Sequence, residues 1–470
     1  MSLPRAFVPI ALALLLGVAF ARPLVVPSVE HHGEAREGLV VQGIVDRGEW
    51  ILPRRNGELP SKPPLFHWLA AGVAEVVGLS DGVVRLPSAV AAWVVAVATF
   101  AVGCALGGER VAWLAVAALL GMAPFLEAAT QARVDMVFTA CTTTALGAFF
   151  LWYRQRGRRA RVVLYAATAA AVLAKGPIGA ALPALVIIAF LLVDGELALL
   201  RTLWSPTLAA LAVVIVGGWY ALAAAVGGRE FLELQLVREN FHRFVGDAEF
   251  RRVDHGHTSR LAVLLATQFL PWTIAIAVSC YRRLRGAAFD AGDRFLHAWW
   301  VVVLAVFTIA AGKRPVYLLP AAPAIALLAG RQLAELTAGL APLRTRFGLR
   351  TATAQLLAVL ALFDLGTLAI LQVRRETHVR RPTLGAFADT VSHTVPGRSP
   401  LPAVASIPAS DRMVLAYRLR RPVPRRTDVG TEPYWLAPHG KDFALMRAAG
   451  PEEHAEDGRA VGATLQESAR

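Results

Sequence analysis

The sequence predicts an all-α polytopic membrane protein of about eleven transmembrane helices, with a long polar first loop and a small C-terminal soluble α/β domain. Three observations predict it. Of 470 residues, 56% are hydrophobic and only 17% are charged, against roughly 25% charged in ordinary soluble domains. Apolar runs of membrane-crossing length recur from residue 6 to about residue 371, as a hydrocarbon core about 30 Å thick requires. Polar residues then dominate two places, residues 24–85 and the chain beyond residue 371.

The expected spans are 6–23, 86–105, 110–127, 136–153, 162–174, 178–193, 206–226, 261–280, 296–311, 315–330 and 352–371. The first run ends at Ala21-Arg-Pro23, a poor cleavage site, and more spans follow, so it is expected to remain as a helix rather than be removed as a signal peptide. Lys175-Gly-Pro177 alone separates the fifth and sixth spans, which reads as a tight hairpin at one surface. The amphipathic stretch 65–78 is expected to lie in the interface.

Loop charges set the orientation. Arg154, Arg156, Arg158, Arg159 and Arg161 form one cluster, Arg282, Arg283 and Arg285 a second, and Arg331, Arg344, Arg346 and Arg350 a third. The spans above put all three on the side of Arg5, which the positive-inside rule makes cytoplasmic. The net charge of +14 therefore speaks of topology and anionic lipid, and no nucleic-acid partner is expected. Cys104, Cys141 and Cys280 lie in or beside apolar runs without paired spacing, so neither a disulfide framework nor a zinc motif is expected.

The chain divides into a membrane domain, 1–371, with its candidate site in the first loop at 24–85; a linker, 372–399; a small outer domain, 400–449; and a tail from 450 to 470 expected to be disordered. PAVASI and MVLAYRL in the outer domain read as short strands.

With this threading the outer side receives loop 24–85, Arg133 and Asp135, the Lys175 corner, loop 227–260 and Gly312-Lys-Arg-Pro315. Two carboxylates stand out there. Asp135 enters a span, where a charge costs a few kcal/mol and marks either function or an ion pair, here with Arg133. Glu34 lies about ten residues past the first helix. The cations Lys62, Lys175, Lys313 and Arg314 interrupt or abut apolar runs. Snorkelling is the ordinary explanation, but it does not explain cations placed against the positive-inside bias. A ring of Lys and Arg at headgroup depth suits a lipid-linked phosphate. Tyr317 sits beside Lys313 and can line the same cavity. His31, His32, His67, His242, His255 and His257 also fall outside, but their spacing matches no strong metal motif. No cofactor is required by this pattern, and a divalent metal remains open.

These residues occur in an order that resembles a known group. Glu34-Ala-Arg36, Gly48-Glu-Trp50-Ile-Leu-Pro53, Asn56-Gly57 and Lys62-Pro63-Pro64-Leu65…Trp68 are similar to the first-loop signature of GT-C type glycosyltransferases, the relatives of the lipid A aminoarabinose transferase and the protein O-mannosyltransferases. Arg85-Leu-Pro-Ser88, Ala132-Arg-Val-Asp135-Met136, Lys175-Gly-Pro177, Arg238-Glu-Asn-Phe-His-Arg243, Phe269-Leu-Pro-Trp272 and Gly312-Lys-Arg-Pro-Val-Tyr-Leu-Leu-Pro320 continue it over residues 5–330. Two positions depart: Gly33-Glu34 stands where relatives often have Asp-Glu, and Ser61 where many have Glu before Lys-Pro-Pro.

The resemblance implies a polyprenyl-phosphate sugar donor, a lipid, glycolipid or protein acceptor, and a bacterial cytoplasmic (inner) membrane location with active site and C-terminus periplasmic. It also implies a first-loop acid acting near the acceptor, for which Glu34 is the natural candidate. Asp135 would orient Arg133 or the sugar, and Lys62, Arg133, Lys175, Lys313, Arg314 and Tyr317 would hold the donor phosphate. The runner-up from another class is a lipid or lipid-linked sugar transporter. That reading calls for midplane charges in matched halves, and no matched halves are found.

Overall fold

The computed structural model describes residues 29, 32–242, 260–310, 313–340, 352–379, 384–395, 397, 399–404, 406–426, 434–439, 442–447 and 459–464. In chain order the helices are α1 (His32–Arg47), α2 (Leu65–Val77), α3 (Asp81–Leu120), α4 (Ala123–Ala129), α5 (Val134–Gln155), α6 (Arg158–Lys175), α7 (Ile178–Asp194), α8 (Leu199–Leu203) and α9 (Pro206–Leu232). A π-helical segment, Glu233–His242, continues α9. Then come α10 (Arg260–Gln268), α11 (Ile274–Leu284), α12 (Ala291–Ile309), a 3-10 turn at Pro315–Ala321, α13 (Ala322–Ala338), α14 (Ala352–Val379), α15 (Leu384–Thr394) and α16 (Ala409–Leu419). Five strands complete the set: β1 (Ala403–Val404), before α16, and β2 (Arg425–Arg426), β3 (Tyr434–His439), β4 (Asp442–Arg447) and β5 (Arg459–Thr464), after it.

The helices form in lipid because each satisfies its own backbone there. Among the described residues, six runs are long and apolar enough to cross a membrane: Asp81–Leu120, Val134–Gln155, Pro206–Glu239, Ala291–Ile309, Pro315–Ala338 and Ala352–Leu371. The expectation of about eleven differs for local reasons. The run 6–23 lies outside the described residues. The run Asp81–Leu120 counts once but holds two helices that meet at a kink at Gly107 and Gly108, whose φ of 79° suits glycine, in line with the two expected spans 86–105 and 110–127. α6 begins with Arg158, Arg159 and Arg161, and α7 has 17 residues, so neither passes as a full span alone. The expected span 261–280 is interrupted at Phe269–Thr273 between α10 and α11. Arginine clusters 344–350 also fall outside the described residues.

Two compact units make up the chain: residues 1–23, 61–66 and 87–371 in the first, and 24–60, 67–86 and 372–470 in the second. The first is helical. Phe149, Phe150, Phe190, Phe295 and Trp299 pack edge-on and stacked at its centre, with Phe150 and Phe295 ring centroids 4.8 Å apart. Small residues let helices approach closely. A Cβ at Gly330 of α13 would stand 2.7 Å from the Ala115 backbone nitrogen of α3, the close contact that replaces hydrophobic drive between helices in lipid. Two helix starts are capped by their sequence: Asp290 accepts from the Asp293 amide at 2.7 Å in a capping box on α12, and Ser205 precedes Pro206 on α9.

One acid in this unit has no counterpart. Asp364 of α14 is 1% exposed, and neither carboxyl oxygen finds a donor among the described residues. Its Oδ1 lies 2.7 Å from where a Gly121 Cβ would stand, beside the Trp272 indole.

The second unit is α/β. Its sheet runs β2-β1-β3-β4-β5, with β1 parallel to β2 and β3, and β3–β4 and β4–β5 antiparallel. Leu436 and Leu445, opposite each other on β3 and β4, join Ala35, Leu39, Phe387, Val391, Leu415 and Tyr417 in one core. MVLAYRL, expected as a strand, lies in α16. An apolar run of this length has no period that separates a buried strand from a helix buried on two sides, and α16 packs against both α1 and α15. The expected linker 372–399 carries the end of α14 and all of α15, and the expected disordered tail supplies β5.

The polar first loop is itself ordered. α1 closes on α16: the ring of Tyr417 comes so near Gly38 that a Cβ there would sit 2.4 Å from it, Gln42 Nε2 donates to the Tyr417 carbonyl at 2.9 Å, and Tyr417 Oη donates to Asp81 at 2.7 Å. Asn56 exchanges two hydrogen bonds with the Val423 backbone. Beneath α1, Glu37 pairs with His67 Nε2 at 2.8 Å and with Arg36 at 2.6 Å. Burial alone pushes the Glu37 carboxyl up, but Arg36 and His67 more than reverse this and hold it well below the usual carboxylate range.

Two outcomes follow from these burials. Asp364→Leu, close in shape, removes a buried polar group without partners, whose desolvation costs about 1–3 kcal/mol; thermal melting in detergent should rise by a few degrees, and a fall would mean that the acid is satisfied in the native protein. Because the Glu37 value is depressed on folding, its stabilisation is present above the ordinary carboxylate value of 4.5 and is lost as pH falls below it. Glu37→Gln should therefore lower stability at pH 7 and flatten its decline between pH 4.5 and lower pH, as read from melting temperatures across that range.

Candidate functional site

The membrane unit gathers its polar residues where helices end. Arg133 is the N-cap of α5 and Asp135 lies in its first turn, where the helix dipole favours a negative charge. Lys175 is the last residue of α6, where the dipole favours a cation; Gly176, at φ 86°, then turns the chain toward α7. α5 and α6 pack side by side, so the two favourable charges meet: Lys175 Nζ donates to Asp135 Oδ1 at 2.5 Å. Both side chains are largely buried.

Aromatic rings enclose the ammonium. Lys175 Nζ lies 4.8 Å from the ring centroids of both Phe138 and Tyr317, and 5.8 Å from that of Phe307. Cation–π attraction of this kind gains strength with desolvation. Tyr317 is buried in the 3-10 turn and stacks on Phe307 at 5.0 Å. Arg133 and Lys62 are near enough for their charges to act on Asp135 as well. Asp135, Lys175, Tyr317, Arg133 and Lys62, each singled out in the sequence, thus share one neighbourhood.

Lys62 has a partner that the sequence reading left unassigned. Its Nζ donates to Glu239 Oε2 at 2.7 Å, and both side chains are about 10% exposed (12% and 10%). Glu239 belongs to the π-helical segment 233–242 and to the motif Arg238-Glu-Asn. The motif was visible in the sequence; its pairing across 177 positions was not.

Lys313 and Arg314 are placed differently. Lys313 is buried and its ammonium donates back to the Thr308 and Ala310 carbonyls, closing the C-terminal end of α12. Lysines commonly satisfy last-turn carbonyls this way. Arg314 is the N-cap of the 3-10 turn that carries Tyr317.

In the second unit, Glu34 lies in the first turn of α1 and is 2% exposed. Arg85 grips it with two parallel bonds, Nε to Oε1 at 2.8 Å and Nη2 to Oε2 at 3.0 Å, the fork geometry that makes arginine–carboxylate pairs strong. The sequence offered Arg85 only as part of Arg85-Leu-Pro-Ser88. Glu37, one turn along α1 from Glu34, was passed over although its spacing places both acids on the same helical face.

Among the described residues no group of three or more His, Cys, Asp or Glu side chains is arranged to hold a metal ion. His31, His255 and His257 lie outside the described residues, and the side chain of His242 does too.

The chain is similar to several known proteins. The family of dolichyl-phosphate-mannose-protein mannosyltransferases matches residues 61–220. An undecaprenyl phosphate-alpha-4-amino-4-deoxy-L-arabinose arabinosyl transferase of Pseudomonas aeruginosa (strain LESB58) is 28% identical over 383 residues, 78% of this chain and 67% of that protein. The enzyme of the same name from Shewanella sediminis is 27% identical over 306 residues, 63% of this chain and 54% of that protein. The chain thus spans about half to two thirds of the length of these relatives. Among solved structures, ArnT from Cupriavidus metallidurans bound to undecaprenyl phosphate superposes with a TM-score of 0.75 at 22% identity, covering 91% of this chain and 87% of that one. The chain thus shares its fold with ArnT from Cupriavidus metallidurans, and it is similar in sequence to the aminoarabinose transferases and, over residues 61–220, to the protein mannosyltransferases.

Proposed function

We propose that the protein is a membrane glycosyltransferase that moves a sugar from a polyprenyl-phosphate donor to an acceptor hydroxyl on the outer, periplasmic face of the bacterial cytoplasmic membrane. The observation that carries this reading is the set of cations around Asp135: Lys175 in contact, with Arg133 and Lys62 close by. The names of the relatives supply the donor class, undecaprenyl phosphate carrying a sugar.

The chemistry asks little else. A polyprenyl-phosphate sugar is a phosphodiester. The acceptor oxygen bonds to the anomeric carbon, the bond from that carbon to the phosphate oxygen breaks, and the acceptor proton passes to a base. The phosphate leaves as a monoester anion without needing a proton. What it needs is preorganised positive charge in a dry place, which Lys62, Lys175 and Arg133 supply, with Tyr317 fixing Lys175 through its ring. Lys313 and Arg314 contribute by closing α12 and starting the Tyr317 turn. The proton goes to a carboxylate. Glu34 is the proposed base, on the strength of the first-loop motif, with Asp135 orienting the cations. A single displacement of this type inverts the anomeric configuration.

The small α/β unit and α1 are proposed to help select the acceptor, whether lipid, glycolipid or protein. The transporter reading has no specific observation in its favour.

Purified protein incubated with radiolabelled polyprenyl-phosphate sugars and a membrane acceptor fraction should transfer label. Lys62→Ala and Asp135→Asn should each lower the rate by roughly 10²-fold or more, the usual loss when one electrostatic contact to a leaving group is removed. Glu34→Gln should abolish transfer while leaving donor binding within a few-fold of wild type. No transfer with any donor, together with lipid movement across liposomes, would replace the enzyme reading by transport.

A further inference from the structure

The proposed phosphate clamp is already neutralised from within. Lys175 is held by Asp135 and Lys62 by Glu239. A phosphate reaching these lysines has to take one of them from its carboxylate, and the two pairs are unequally built. Asp135 sits in the first turn of a regular 22-residue helix, and its lysine is walled by three aromatic rings. Glu239 sits on ten residues of π-helix, a rarely sustained conformation often found at functional sites. Gly228, at φ 59° and ψ −149°, breaks the helix just before that segment. Glu239 is therefore the carboxylate that can move.

We propose that Glu239 is a specificity-determining residue that exchanges with the reacting phosphate for Lys62. This deepens the function proposed above and rests on Lys62 being a phosphate ligand. The donor phosphodiester carries one negative charge and competes with a carboxylate on equal terms. Transfer of the sugar leaves a phosphate monoester, whose charge at neutral pH is about −1.5 to −2. Lys62 thus passes to the phosphate as that extra charge develops, so the attraction is greater in the transition state than in the bound donor. Because Glu239 competes for Lys62 throughout, it lowers the net affinity for the lipid monophosphate, and it takes Lys62 back when that product dissociates. The ligand class selected at Lys62 is a phosphate monoester dianion, free or at the end of a polyprenyl chain.

The test uses the full chain in lipid nanodiscs, with inorganic phosphate, a polyprenyl monophosphate and its methyl diester as probes. Glu239→Gln should bind inorganic phosphate and the polyprenyl monophosphate more tightly by the same factor, about tenfold. The methyl diester should gain less. In turnover, kcat and KM should fall together, because product leaves slowly. Glu239→Asp, which keeps the charge on a shorter arm, should fall between wild type and Glu239→Gln, and it serves if the glutamine variant does not fold. Unchanged or weaker monophosphate binding in both variants overturns the proposal. A gain with the polyprenyl probe alone also overturns it, since the change would then lie along the lipid chain. Lys62→Ala separates the two levels. Monophosphate binding that survives Lys62→Ala removes the underlying reading of Lys62. Binding lost in Lys62→Ala but unaltered in the Glu239 variants removes only the exchange.

Discussion

The Asp135–Lys175 pair is the constraint around which the membrane unit is arranged. Two opposite charges 2.5 Å apart at the facing ends of α5 and α6 fix how those helices meet. A buried pair of this kind is weak evidence for stability, because desolvation offsets much of its Coulomb energy; losing one partner is what is expensive. The surroundings answer that penalty. Helix dipoles favour each charge, and Phe138, Phe307 and Tyr317 turn their faces to the ammonium. Tyr317 in turn needs the 3-10 turn, and the turn needs the end of α12 closed by Lys313. Residues far apart in the chain are thus tied to one ion pair.

Polar groups elsewhere obey the same low-dielectric rule with different partners. Glu34 is matched by the two-pronged grip of Arg85, and Glu37 by Arg36 and His67. Carboxylates and cations come in sets, so a residue's chemistry cannot be read apart from its counter-charge. Among the buried carboxylates of the described residues, Asp364 is the exception.

Much of this was legible in the sequence. Apolar length located α5, α9, α12 and the first half of α14, and the Lys175-Gly-Pro corner marked the α6–α7 turn. A carboxylate entering a span pointed to Asp135, and cations placed against the positive-inside bias pointed to Lys175 and Lys62. α1 was not legible. Its sixteen residues carry Gly33, Gly38 and Gly43 and little hydrophobicity, and glycines argue against a helix. Gly38 is there because Tyr417 presses on it, a fact held by a residue nearly the whole chain away. MVLAYRL misled for the related reason that burial on two sides erases periodicity. Lys62–Glu239 and Glu34–Arg85 were hidden because a motif shows which residues matter together without showing which side chains touch.

The union of α1 with α16 also bears on how the protein is made. Gln42 and the Tyr417 carbonyl are 375 positions apart. At ribosomal speeds of about 5–20 residues per second, α1 waits roughly 20–75 s for its packing partner to emerge. Throughout that interval Gly38 and Gln42 are without their final neighbour, while the spans between are being inserted. α1 therefore completes its packing only after α16 has been synthesised, and its own early partners, Arg85 and His67, are what it has until then.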